Sequence, residues 1–242
     1  MAKMMLQMLE TIEDHHALLF RSPAFLLSAW RRFEVWIRLL AANRPLAHQL
    51  LPPLDVAFIW HAYMIRTEIY LEDLPKILHG QDPGDMGMAV AWKCVCDASS
   101  PEQIERSRAL WAAHADSGFD DWQGLSPSAY MVSLPFQLTT AFLLEDLNWL
   151  PDLRRGWPRF ADPHQRCPFL NDTLEAYVEW LETTYRTPVT SLKGPAIDVD
   201  AFWHSHMLNP GKYKRDIEKH YGVGKTIWHR PLADGVIDPS FL

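Results

Sequence analysis

Two stretches of the sequence decide the fold: PPLDVAFIWHAYMIRTEIYLED at residues 52–73 and PAIDVDAFWHSHMLNPGKYKRD at residues 195–216. They align without a gap at a constant offset of 143 residues (195 minus 52), and eight of their 22 positions are identical. Self-similarity at a fixed spacing is the signature of an internal repeat. The identical pairs are Pro52/Pro195, Asp55/Asp198, Val56/Val199, Trp60/Trp203, His61/His204, Met64/Met207, Tyr70/Tyr213 and Asp73/Asp216.

Helical periodicity dominates the sequence around both stretches. Apolar residues recur at three- and four-residue steps, and pairs such as Ser22–Pro23 and Asn209–Pro210 are typical helix starts. Ser100–Gln103 and Asp172–Glu175 have the spacing of capping boxes. The predicted helices cover 5–20, 23–43, 55–65, 68–79, 101–114, 135–149, 172–186, 199–208 and 210–221.

The predicted fold class is all-α, with an internal pseudo-twofold duplication. Residues 89–95 are the one run that could form a short strand. We expect a single domain over residues 1–242. It would consist of two helical repeats, at about 20–80 and 165–222, joined by a helical linker region.

Composition limits the classes of protein that the chain can represent. Hydrophobic residues make up 48% of the 242 residues, which is typical of a globular fold, and the formal net charge is −7. A negative chain is a poor candidate for nucleic-acid binding. Three cysteines cannot form a disulfide framework, and we found neither a signal peptide nor a membrane-spanning stretch. The expected compartment is therefore the cytoplasm.

The duplicated pattern resembles a known family. Written P-x-(L/I)-D-(V/I)-x-x-x-W-H-x-(H/Y)-M-(L/I)-x-P-x-x-Y, it is similar to the N-terminal region of the glycine-rich domain-containing proteins, which also carry two such elements. The first block departs at Tyr63 and at Arg66–Thr67, and Trp228–Pro231 replaces an acidic run. The resemblance implies a fold and no defined reaction. The second block matches at Asp198, Trp203, His204, His206, Asn209, Pro210 and Tyr213.

The repeated aspartates, Asp55 and Asp198, each stand at the start of an apolar helix. A carboxylate at this position can accept hydrogen bonds from the free N–H groups of the first turn and interacts favourably with the helix dipole. We therefore interpret both as helix caps. The alternative is that one of them is a ligand-binding or catalytic carboxylate.

The repeated aromatic residues and histidines fit a buried architecture. Trp60 and Trp203 stand four residues before Met64 and Met207, which is core spacing. Tyr70 and Tyr213 are expected to close the same layer with locally bonded hydroxyls. A buried neutral imidazole needs both a donor and an acceptor, so the simplest interpretation of His61 and His204 is structural.

The alternative interpretation of the histidines is that they form a metal site. If the two repeats face each other, they could bring His61, His204, His206 and Asp200, with His229, to one cleft that suits Zn or Fe(II). Within one helix, however, His204 and His206 lie two residues apart and point in nearly opposite directions.

Differences between the repeats indicate where chemistry would lie. The second repeat has Asp200 and His206 where the first has Ala57 and Tyr63. Residues that are present in only one copy are not required for the structure that the two copies share. If the chain has a chemical site, it is therefore expected near Asp200, His204 and His206, with Asp200 one turn before His204 and able to orient its imidazole.

Three functions are compatible with these observations. The favoured one is a helical scaffold or interaction module whose Trp-His elements are architectural. The alternatives are a metal-dependent hydrolase or oxygenase using Zn or Fe, and a small-molecule or lipid binder with an aromatic cleft between the repeats. The expected partner is a protein or a small molecule.

Overall fold

The computed structural model describes residues 2–78, 101–121, 163–187 and 194–227. Within these ranges the chain forms α-helices and one 3-10 helix, Arg44–Gln49, with no strand. The all-α prediction is therefore confirmed. The helices are α1 (Ala2–Phe20), α2 (Pro23–Ala42), α3 (Leu54–Met64), α4 (Thr67–Ile77), α5 (Pro101–Ala112), α6 (Pro163–Arg186), α7 (Ile197–Met207) and α8 (Pro210–Tyr221).

Two of the predicted helix starts carry the N-cap hydrogen bonds that the local sequence predicts. Ser22 caps α2 by accepting a hydrogen bond from the backbone N–H of Phe25 at 3.5 Å. Asn209 caps α8 by accepting one from the N–H of Lys212 at 3.1 Å. Each cap precedes a proline, whose fixed φ suits the first helical turn.

One predicted helix start is wrong. The Asp172–Glu175 spacing suggested a helix over 172–186, with a loop before it, but α6 begins nine residues earlier, at Pro163 (172 minus 163). Both residues are exposed on the outer side of α6. An Asp and a Glu three residues apart fit the interior of an exposed helical face as well as a cap. The predicted helix 135–149, the possible strand 89–95 and His229 lie outside the described residues.

The helices pack as two groups, which are connected through a contact between α4 and α8 and through α1. In the first group α2 packs against α3, and α3 continues into α4; in the second, α6 packs against α7, and α7 continues into α8. The groups meet where α4 contacts α8, and α1 contacts both α3 and α7. None of the helices in the described ranges combines the length and hydropathy of a bilayer-spanning segment.

Helix α3 lies at the centre of the first group. Every residue from Asp55 to Met64 is buried, as its all-round apolar composition predicts. Large aromatic side chains fill the space around it. Those that are almost completely buried include Trp30, Trp36, Trp60, Trp111, Tyr63, Tyr213, Phe20, Phe25, Phe33 and Phe58.

Candidate functional site

Two hydrogen bonds between buried side chains ten residues apart join α3 to α4. The indole Nε1 of Trp60 donates to the hydroxyl of Tyr70 at 3.3 Å, and the hydroxyl of Tyr63 donates to Oδ2 of Asp73 at 2.7 Å. Lys76 donates to the other oxygen of Asp73 at 2.8 Å. Burial and the bond to Asp73 raise the pKa of Tyr63, so its hydroxyl stays protonated and available as a donor.

The hairpin of α7 and α8 carries contacts of the same kind. Trp203 Nε1 donates to the hydroxyl of Tyr213 at 2.9 Å, and that hydroxyl donates to the carbonyl oxygen of Ile227 at 2.6 Å. His206 Nε2 lies 3.1 Å from Oδ2 of Asp216. The predicted local bonding of both repeated tyrosine hydroxyls is thus confirmed, because each hydroxyl accepts a hydrogen bond from a tryptophan indole N–H.

His206 lies between two helices and touches a polar group on each. Its Nδ1 is 3.0 Å from the hydroxyl of Tyr177 on α6. A carboxylate can only accept, so Asp216 places the proton on Nε2, and Nδ1 of the neutral ring accepts from Tyr177. Burial lowers the pKa of His206, against the opposing effect of Asp216. Burial alone would raise the pKa of Asp216, but Lys212 and His206 outweigh it and lower that pKa.

The ring geometry around Tyr63 and His206 is also alike. The rings of Phe33 and Tyr63 lie 5.8 Å apart at 86°, and those of Tyr177 and His206 lie 6.1 Å apart at 86°. On the far side, Tyr63 meets Tyr70 at 5.4 Å and 85°, and His206 meets Tyr213 at 5.0 Å and 86°. A tyrosine and a histidine therefore occupy comparable positions between an aromatic ring and an aspartate.

Asp55 is not the cap residue of α3, although it lies in the first turn of the helix, where the cap interpretation placed it. Pro53 holds the cap position without a side-chain bond, and Asp55 is the second residue of α3 and is fully buried. Its Oδ2 accepts a hydrogen bond from Nε of Arg32 on α2 at 2.6 Å. Burial raises the pKa of Asp55, and the Arg32 guanidinium opposes that rise. The carboxylate therefore joins two helices.

Asp198 has a different environment from its counterpart. Ala196 holds the cap position of α7, and half-buried Asp198 accepts a hydrogen bond from the backbone N–H of Val199 at 2.9 Å. The contact with a first-turn N–H agrees with the helix-dipole part of the prediction, although Asp198 is not the cap residue.

Arg32 is the residue of this region that sequence reasoning missed. Its guanidinium lies over the ring of Trp111, 4.6 Å from the centroid. Beside its bond to Asp55, it donates to the hydroxyl of Ser117 at 3.0 Å and to the carbonyl oxygens of Gly118 and Phe119 at 2.9 and 2.7 Å. The sequence did contain a signal for this role, because Arg32 stands four residues before Trp36 and therefore on the apolar face of the predicted helix 23–43.

The predicted chemical residues of the second hairpin are only partly brought together. Asp200 and His204 share a face as expected, with Oδ1 and Nε2 3.8 Å apart, and His204 is buried. His206 faces Tyr177 and Asp216 instead. His61 is buried in α3, within the other group. Among the residues that the structure describes, no three His, Cys, Asp or Glu side chains form a group suited to a metal ion.

An exposed apolar surface on α6 is the second feature that the sequence did not reveal. Leu174 and Val178 expose 49% and 45% of their surface. Together with Glu175, Glu179 and Glu182 they line an open groove of about 400 Å³. The two apolar side chains are thus exposed next to each other, with acidic residues beside them.

The described helices and their contacts define a helical protein with two Trp-His hairpins. In sequence the chain is similar to glycine-rich domain-containing protein 1 from Arabidopsis thaliana, with 25% identity over 94% of this chain and 28% of that protein. It is also similar to glycine-rich domain-containing protein 2 from the same organism, with 22% identity over 89% of this chain and 27% of that protein. The chain thus spans little more than a quarter of these relatives. No family model and no solved structure matches it.

Proposed function

We propose that the chain is a non-catalytic helical interaction module that belongs with the glycine-rich domain-containing proteins. It is one domain made of two copies of a three-helix unit, the first α2, α3 and α4 and the second α6, α7 and α8. These units refine the repeats predicted at about 20–80 and 165–222.

The observation that carries this proposal is the agreement of the polar contacts. The Trp60–Tyr70 bond corresponds to Trp203–Tyr213 at the offset of 143 residues that the sequence predicts. The contact of Tyr63 with Asp73 likewise corresponds to that of His206 with Asp216. Side chains that make the same bond in both units serve to hold the helices together.

The architectural role extends to most of the polar residues that were candidates for chemistry. Asp55 is hydrogen-bonded to Arg32. His206 contacts Asp216 as Tyr63 contacts Asp73 in the first unit. The units differ in some of their polar contacts, such as those of Asp55 and Asp198, and also on their outer surface. A module whose polar interior maintains its shape acts through that surface. The proposed partner is a protein, and the low cysteine content supports the cytoplasm as its compartment.

Elemental analysis of the purified full chain, combined with melting curves with and without a chelator, tests the proposal. A scaffold should contain no stoichiometric Zn or Fe, and the chelator should leave its melting temperature unchanged. Stoichiometric metal that disappears from Asp200→Ala, with the fold retained, would contradict the proposal and support the metal-enzyme alternative instead. Because Asp200 is buried, with 12% of its side chain exposed, circular dichroism of this variant has to verify the fold before the metal contents are compared.

A further inference from the structure

The two units differ most clearly at one pair of matched positions on their first helices. Alignment of Phe33 with Tyr177, which make the corresponding ring contacts, also aligns Trp30 with Leu174. Trp30 is buried and its ring meets that of Tyr63 at 5.2 Å, whereas Leu174 is 49% exposed. Among the residues that the structure describes, the position that is covered in the first unit is therefore exposed in the second.

We infer that this open face of α6 is the docking surface for a basic amphipathic helix of a partner protein. The inference rests on the proposed function and specifies its partner. Leu174 and Val178 lie four residues apart and form an apolar ridge along the helix. A ridge of this spacing fits the apolar face of a second helix, the way helices pack inside this protein.

Charge determines the kind of helix that can bind. Asp172, Glu175, Glu179 and Glu182 are exposed and follow one another at three- and four-residue steps, so they form an acidic stripe beside the ridge, which ends where Glu182 pairs with Arg186 at 3.5 Å. Lysines or arginines that flank the apolar residues of a partner would meet this stripe, which favours association and disfavours acidic partners. Nucleic acid and anionic lipid surfaces carry the wrong charge.

The same charge argues against a second copy of this chain as the occupant. In a symmetric dimer through this face, the stripes of both copies would lie near each other, and like charges destabilise such a contact. The formal net charge of −7 adds a long-range repulsion between copies. A separate basic partner removes both costs.

The test uses the full chain and two synthetic helical peptides with the same leucine spacing, one flanked by lysines and the other by glutamates. Binding is measured by fluorescence anisotropy. We expect saturable binding of the lysine peptide, at least tenfold weaker binding of the glutamate peptide, and weaker binding as ionic strength rises. The variant Leu174→Ser/Val178→Ser should bind the lysine peptide at least tenfold more weakly.

Matched controls separate this face from the rest of the surface. Leu46→Ser/Val223→Ser removes two other exposed apolar residues, and Glu102→Lys/Glu105→Lys reverses charge on α5; both should bind like the parent. Glu175→Lys/Glu179→Lys should reverse the preference between the peptides. All substitutions lie at exposed positions, and circular dichroism verifies the fold of each variant.

Several outcomes would overturn the inference. These are equal binding of both peptides, no saturable binding, binding that Leu174→Ser/Val178→Ser leaves unchanged, and concentration-dependent dimerisation that this variant abolishes. The last would assign the face to a second copy. A failed peptide test on a metal-free protein would leave the proposed function intact, whereas stoichiometric metal would contradict that function independently of the peptides.

Discussion

Arg32 and Asp55 form a buried ion pair, with 2.6 Å between Nε and Oδ2, that joins α2 to the first turn of α3. Their side chains are only 6% and 0% exposed. Because Arg32 also binds the segment around Ser117 and Gly118, one guanidinium connects three parts of the chain that are distant in sequence. Loss of the ion pair between Arg32 and Asp55 should therefore destabilise the fold strongly.

Replacement of one member of this pair should destabilise the protein strongly. We expect Arg32→Leu to lower the free energy of unfolding by about 3–5 kcal/mol, because Asp55 is left as an uncompensated buried carboxylate. Urea unfolding followed by tryptophan fluorescence measures the change. Arg108→Leu, which breaks the exposed pair with Asp120, should cost no more than about 1 kcal/mol. Equal effects of the two substitutions would contradict the assigned role.

The repeated tryptophans should be equivalent in stability measurements. Trp60→Ala and Trp203→Ala should each lower the free energy of unfolding by about 3–5 kcal/mol, since both side chains are buried. Replacement by Phe keeps much of the volume but removes the bond to Tyr70 or Tyr213, and should cost less. Thermal melting of the four variants checks this. An unchanged melting temperature in either alanine variant would show that the residue contributes no core packing.

His206 should make the stability of the second unit sensitive to acid. The pKa of His206 is lowered in the folded chain by burial, while the unfolded chain titrates near about 6.5. Protons therefore bind the unfolded chain preferentially as pH falls, and the contribution of neutral His206 is present above that value and lost below it. The groups facing the ring are Tyr177, Tyr213, Asp216 and, through Asp216, Lys212.

The substitution His206→Tyr tests this pH dependence, because tyrosine occupies the matched position 63 in the first unit and does not titrate in this range. Urea midpoints of both proteins would be compared between about pH 8 and pH 5. The parent should lose more stability than the variant as the pH falls. Parallel pH profiles would show that His206 does not contribute to acid sensitivity.

The aspartates at matched positions should differ in importance because they differ in burial. Asp73→Ala should cost about 1–3 kcal/mol, since the buried hydroxyl of Tyr63 loses its acceptor. Asp216 is 38% exposed at its side chain, so water can replace it, and Asp216→Ala should cost no more than about 1 kcal/mol. Chemical denaturation measures both values. A greater loss for Asp216→Ala would reverse the assignment.

The sequence by itself determined where the helices of both hairpins lie and that the two repeated tryptophans are buried. Helices α3 and α7 agree with the predicted helices 55–65 and 199–208 to within two residues at each end, because the signals that favour a helix are local properties of the chain. Trp60 and Trp203 were identified as core residues for the same reason. The start of α6 was missed because Asp172 and Glu175 satisfy either a cap or an exposed helical face, and local spacing does not separate the two.

Only the tertiary structure decided which distant residues meet. The sequence presents Arg32 as a charge in an apolar helix, but its carboxylate partner lies 23 residues away and is selected by the packing of α2 on α3. The contacts of His206 with Tyr177 and Asp216 likewise depend on how α6, α7 and α8 pack, which the sequence does not state. The exposure of Leu174 was equally beyond the sequence, because the amphipathic pattern of one helix does not state which of its apolar residues a neighbouring helix will cover.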